Sequence, residues 1–116
     1  MENITAQDMM IWVLTTQYEG PVGVTAKFYV KEEQVARFCE VMSSMVEHTR
    51  KEKGNRVYKL QADFKDSTIF WLLEDWESVS DLKSHCMTEI FQKNGEMMGS
   101  LLREPAYLIG LYKPLD

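Results

Sequence analysis

Residues 68–76, TIFWLLEDW, are apolar on both sides of an extended chain. Side chains alternate along a strand, so Phe70, Leu72, Glu74 and Trp76 share one face and Ile69, Trp71, Leu73 and Asp75 the other. A strand that is greasy front and back has to be covered twice. A helix layer supplies one cover. The other has no donor within 116 residues, unless the first twenty supply it, so a second subunit is the natural candidate.

Two further stretches alternate in the same way. VGVTAKFYV, 22–30, sets Val24, Ala26, Phe28 and Val30 on one face, and RVYKLQADF, 56–64, does the same with Tyr58, Leu60, Ala62 and Phe64. Asp66-Ser67 is a short connection, so the second and third strands pair as a hairpin. Between the first two strands the period changes. Val35, Phe38, Cys39, Met42, Met45, Val46 and Thr49 recur at helical spacing and predict a helix over 32–53, closed by Gly54. Ser78-x-x-Asp81 resembles a capping box and predicts a helix over 79–86, with Val79, Leu82, His85 and Cys86 inward. Thr88 starts another helix over 89–102, weakened by Gly95 and Gly99 and ended by Pro105. AYLIGLY, 106–112, reads as a last strand.

Met9 to Leu14 is apolar without a clear period and fits helix or strand. This arm is expected to pack on a partner subunit or block a sheet edge. The organisation is thus an N-terminal extension over 1–20 and a single α+β domain over 21–116. Its order is ferredoxin-like, β-α-β-β-α-β.

With 18 acidic and 13 basic residues the net charge is −5, which argues against a nucleic-acid binder. Cys39 and Cys86 form no Cys-x-x-Cys pair, and His48 completes no zinc pattern with them. No metal is expected, and a reducing, cytoplasmic setting is. No Lys or Arg precedes Lys27, so the charged start of a signal peptide is missing. The apolar run at 9–14 falls far short of the roughly 20 residues that cross a membrane.

Glu74-x-Trp76-x-Ser78, then Leu82, His85 and Thr88-x-x-Phe91, set on this order of strands and helices, resemble the antibiotic biosynthesis monooxygenase family. These are small dimeric α/β barrel proteins that include quinol monooxygenases. The similarity runs over residues 22–113, and Gly54 leading into the strand to Leu60 fits it. The resemblance implies a homodimer whose two sheets pack into one barrel, which would cover the second apolar face. It also implies oxidation of quinols or aromatic polyketides by molecular oxygen, without metal, flavin or haem, in a pocket between helices and sheet. The matched positions are Trp76 and His85, with Glu74 beside them, as catalytic candidates. Tyr58, Phe70 and Leu72 would be walls. Haem-degrading relatives carry an asparagine on the first strand; VGVTAKFYV has none.

Each candidate has a plainer reading. His85 titrates near neutrality and could take a phenolic proton, or it could simply hydrogen-bond Glu74 or backbone. Glu74, facing inward, is costly unless His85 or a backbone group satisfies it. Trp76 could stack on an aromatic ligand, donate to a developing oxyanion, or plug the core. Met97, with Met87 and Met98, could form a pliable lid on a glycine-bearing helix, or pack as core. On the first set of readings the chain is a cofactor-independent monooxygenase acting on a small aromatic molecule. The alternative is a non-catalytic dimeric binding or interaction protein. A cavity of roughly 300 Å³ or more, lined by Trp76 and His85 and open to solvent, would favour a ligand; side chains filling that space would favour an interaction or structural role.

Overall fold

The doubly apolar strand lies inside the sheet. The computed structural model describes residues 5–104 and 108–115. Its elements are α1 (Ala6–Thr15), β1 (Val22–Tyr29), a 3₁₀ turn (Glu32–Gln34), α2 (Val35–Thr49), β2 (Asn55–Ala62), β3 (Ile69–Trp76), α3 (Val79–Cys86), α4 (Glu89–Leu101) and β4 (Leu108–Tyr112). One antiparallel sheet carries the order β2-β3-β1-β4. The arrangement is the ferredoxin-like α+β fold that the alternation of periods implied.

Register sets the inner face. Glu74 lies opposite Val24 on one side and Tyr58 on the other, and Leu72 lies opposite Ala26 and Leu60. Phe38 of α2 fills the space between Phe28 and Phe70, with ring centroids 5.3 and 5.0 Å away. Val79, Leu82, His85 and Cys86 of α3 are all buried. The outer face of the same sheet is different in the single chain: Trp71 and Leu73 are each 38% exposed. The Lys27 ammonium there sits over the rings of Tyr29 and Trp71.

Residues 6–15 are helical. The deciding signal is Thr5-x-x-Asp8, a full capping box in which the Thr5 hydroxyl accepts from the Asp8 N–H and the Asp8 carboxylate from the Thr5 N–H. α1 finds its cover within the chain. It packs on α3 and β4, and Met9 and Val13 join the main core. The segment after it is tied down as well, since the Gly20 carbonyl accepts the Val79 N–H at 3.1 Å.

Other boundaries moved for local reasons. The helix predicted to Lys53 ends at Thr49, and 3₁₀-type bonds such as Glu52 N–H to the Thr49 carbonyl, 2.9 Å, carry the chain round to Gly54. Gly54 has φ 81°, and a Cβ there would run into the Asp81 carboxylate. Ala62 and Phe64, expected to share a face with Tyr58 and Leu60, are exposed: Ala62 is the last residue of β2 and Phe64 lies beyond it, in the turn to β3. α4 is unbroken despite Gly95 and Gly99, both exposed, of which Gly95 also borders a cavity under the helix. Pro105, Ala106 and Tyr107, read as a helix stop and strand start, lie outside the described residues. No helix among those described is long and apolar enough to cross a membrane.

Candidate active site

Two residues apart on β3, Glu74 and Trp76 project from the same face into the core. The Trp76 indole Nε1–H donates to Glu74 Oε1 at 2.9 Å. This is the partner that an inward carboxylate requires, and it comes from the indole rather than from His85 or backbone. One neutral donor does not replace water. Burial pushes the Glu74 carboxyl up to about 7; the indole bond opposes the shift and the nearby Glu52 charge adds to it.

Glu74 lines a cavity of about 50 Å³ between the sheet and the helices. Tyr58 and Leu72 share its sheet side, and Phe91, Asn94 and Met98 come from α4. Met9, Met42, Met45 and Met98 form much of the remaining wall. The volume is far below the roughly 300 Å³ of an ordinary ligand pocket. Its methionines are unbranched and repack at low cost, so the wall can yield. Neither Trp76 nor His85 lines this space.

His85 sits one layer behind the wall. Its ring packs on Trp76 (4.8 Å), Phe91 (5.1 Å) and Tyr58 (5.5 Å). Its hydrogen bond goes to Glu52, from Nδ1 to Oε1 at 2.8 Å, and not to Glu74. The other Glu52 oxygen takes Nδ1 of His48 at 2.9 Å, on the solvent side. A carboxylate only accepts, so the proton of His85 belongs on Nδ1. Nε2 is then a bare acceptor, buried and without a partner among the described residues. Burial holds the His85 imidazole below the usual histidine range, with Glu52 pulling the other way. Burial likewise drives the Cys86 thiol up to about 12, which leaves it inert as a nucleophile.

Of the remaining candidates, Phe70 packs on Phe38 away from the cavity. Met97 is half-buried and its neighbour Met98 is the one on the wall. Glu52, Asn94 and Met9 are site residues that the sequence reading did not single out. Among the described residues, no three His, Cys, Asp or Glu side chains converge as a metal site would need.

Comparison with known proteins gives a consistent result. Residues 21–95 match the antibiotic biosynthesis monooxygenase family. A Bacillus subtilis (strain 168) protein named "Putative monooxygenase YcnE" is 35% identical over 63 residues, which span 54% of this chain and 66% of that protein. A crystal structure described as a "putative antibiotic biosynthesis monooxygenase" from Caulobacter crescentus CB15 superposes with TM-score 0.79 at 26% identity, over 85% of this chain and 93% of the other. Rv0793 from Mycobacterium tuberculosis gives 0.78 at 27%, over 84% and 97%.

Proposed function

The chain belongs to the antibiotic biosynthesis monooxygenase family, and on that premise we propose that it oxidises a small quinol or aromatic polyketide-like molecule with molecular oxygen, using no resident cofactor. The observation that carries this reading is Glu74: a carboxyl poised at about 7 on the wall of an apolar cavity. A base works best when its pKa lies near the working pH.

The chemistry asks little of the protein. Oxygen reacts slowly with a neutral phenol. Ionised Glu74 takes the hydroxyl proton, and the resulting anion is electron-rich enough to pass one electron to oxygen. Superoxide and the carbon-centred radical combine into a hydroperoxide, which loses water. One oxygen atom stays on the ring and the other leaves as water, and the substrate supplies all four electrons. For a simple quinol this is C₆H₆O₂ + O₂ → C₆H₄O₃ + H₂O. Trp76 holds the Glu74 carboxylate in place, Tyr58, Leu72 and Phe91 keep the site apolar, and the dry wall protects the radical pair.

In this proposal the working unit is a homodimer in the cytoplasm. The sheets meet through their outer faces, which covers Trp71 and Leu73 as the family resemblance implies. The small cavity favours one second reading, a dimeric binding protein without turnover. An oxygen electrode separates the two. Uptake is expected with a naphthohydroquinone or an anthrone, at one O₂ per product, and Glu74→Gln should lower it by about 100-fold or more. Binding without uptake decides for the second reading, and an unimpaired Glu74→Gln removes the carboxylate from the chemistry.

A further inference from the structure

Three features of the His85 surroundings do not follow from its place in the core. Its Nε2 is a buried polar atom with no partner among the described residues, which is rare in a folded chain because a satisfied acceptor is more stable. Its Nδ1 is fixed by a charged group that lies 33 positions away in sequence and is itself held from the far side by His48. The two rings that lie against it and also line the cavity are Tyr58 and Phe91. Phe91 is only half-buried, on α4, whereas Tyr58 is 3% exposed.

We propose that Glu52 is a positioning residue that locks His85 with its proton on Nδ1, so that Nε2 is held ready to accept a hydrogen bond from the hydroxyl of an aromatic ligand that enters beside Phe91. The proposal rests on the cavity being a site for hydroxylated aromatic molecules, and it names what they must carry: a ring to replace Phe91 and an O–H donor at its edge. A carboxylate that fixes the far nitrogen of an imidazole sets both tautomer and ring orientation. Were the proton on Nε2 instead, that nitrogen would repel a hydroxyl hydrogen and Nδ1 would face Glu52 with no hydrogen between them. The other titratable groups around this ring and its carboxylate include His48 on α2, Lys53 just beyond it, Glu74 on β3, Tyr58 on β2, and Asp81 and Cys86 on α3. Among the described residues, none of them is a hydrogen-bond partner of Nε2. Glu74 shares the cavity wall with Tyr58 and Phe91, two of the rings that touch His85. His85 would then recognise one hydroxyl while Glu74 takes the proton of another.

The test is nitrogen-15 NMR of His85 in the whole chain, without oxygen, titrated with 2-naphthol. Wild type should show the Nδ1–H tautomer, and saturation with 2-naphthol should move the Nε2 resonance in the direction of an accepted hydrogen bond. Glu52→Gln, which keeps the shape and loses the charge, should mix the tautomers and weaken 2-naphthol binding by about tenfold. Glu52→Asp should restore much of both. An Nε2–H tautomer in wild type, an Nε2 resonance that stays still while 2-naphthol binds, or no binding at all would each overturn the proposal. The wild-type titration decides even if the variants fold poorly. A chain that binds 2-naphthol at Nε2 but takes up no oxygen with quinols keeps this proposal and loses the oxidation; one that oxidises quinols with Nε2 unmoved does the reverse.

Discussion

The two faces of one sheet carry similar residues and have different fates. On the inner face Phe28, Phe70, Leu72 and Trp76 are all buried under helices, and the one carboxylate among them, Glu74, is desolvated and shifted. On the outer face Trp71 and Leu73 remain partly exposed, and the nearby charges stay in contact with water and with one another. Lys27 lies over the Trp71 ring, and the Trp71 indole donates to Asp63 Oδ1 at 3.0 Å. Hydrophobic sequence alone therefore does not make a core. A helix layer does, and only where it exists does a polar group acquire unusual chemistry.

The widest gap between the faces should appear in truncations. Phe38→Ala, which removes the ring between Phe28 and Phe70, should cost about 3–5 kcal/mol in a denaturant titration. Trp71→Ala should cost less than about 1 kcal/mol when measured on dilute, monomeric chain. A large, concentration-dependent loss for Trp71→Ala would show that the outer face is also buried, by another copy.

Next in size is the pH dependence that Glu74 imposes. The folded chain keeps the Glu74 proton up to about pH 7, whereas the unfolded chain releases it near 4.5. The folded state binds more protons between those values, so this group's contribution falls as pH rises through that window, by on the order of 3 kcal/mol. His85 acts in the opposite sense. Its folded pKa is depressed, so its contribution is full above about 6.5 and is lost as pH falls below that. Glu74→Gln should remove the first slope and leave the second, in thermal melts from pH 4 to 8. Persistence of the first slope in that variant would place the shifted group elsewhere.

The smallest effect on the fold, and the sharpest on assembly, should come from Leu73→Lys. A charge on the outer face should leave monomer stability within about 0.5 kcal/mol and convert a dimer to monomer in sedimentation. If wild type is already a monomer at micromolar concentration, the proposed homodimer is wrong.

Much of the inner face was legible because it rests on period. The alternation through β1 and β3, the stripe of α2 and the caps at Ser78 and Thr88 all depend on residues a few positions apart, and the structure has each of them. So does the shared face of Glu74 and Trp76. Glu52 was not legible. Its contact with His85 spans 33 residues and depends on α2 ending at Thr49, where the charged run 50–53 reads equally well as more helix. The pairing of Glu74 with Trp76 in preference to His85 follows from His85 being taken by Glu52, a contact no local pattern announces. The size of the cavity depends on methionine rotamers, which no pattern encodes. Phe64 shows the opposite error: its alternation is regular, but the sheet's inner surface does not extend beneath it.

The account stands on Glu74 being the proton acceptor, and the pH profile of kcat/KM for enzyme-dependent oxygen uptake tests that most directly, since kcat/KM reports the pKa of groups on the unliganded protein. It should rise with pH, bend at about 7 and level off above, and the bend should disappear with the activity in Glu74→Gln. A profile flat from pH 5 to 9, or a bend near 7 that survives in Glu74→Gln, would contradict it.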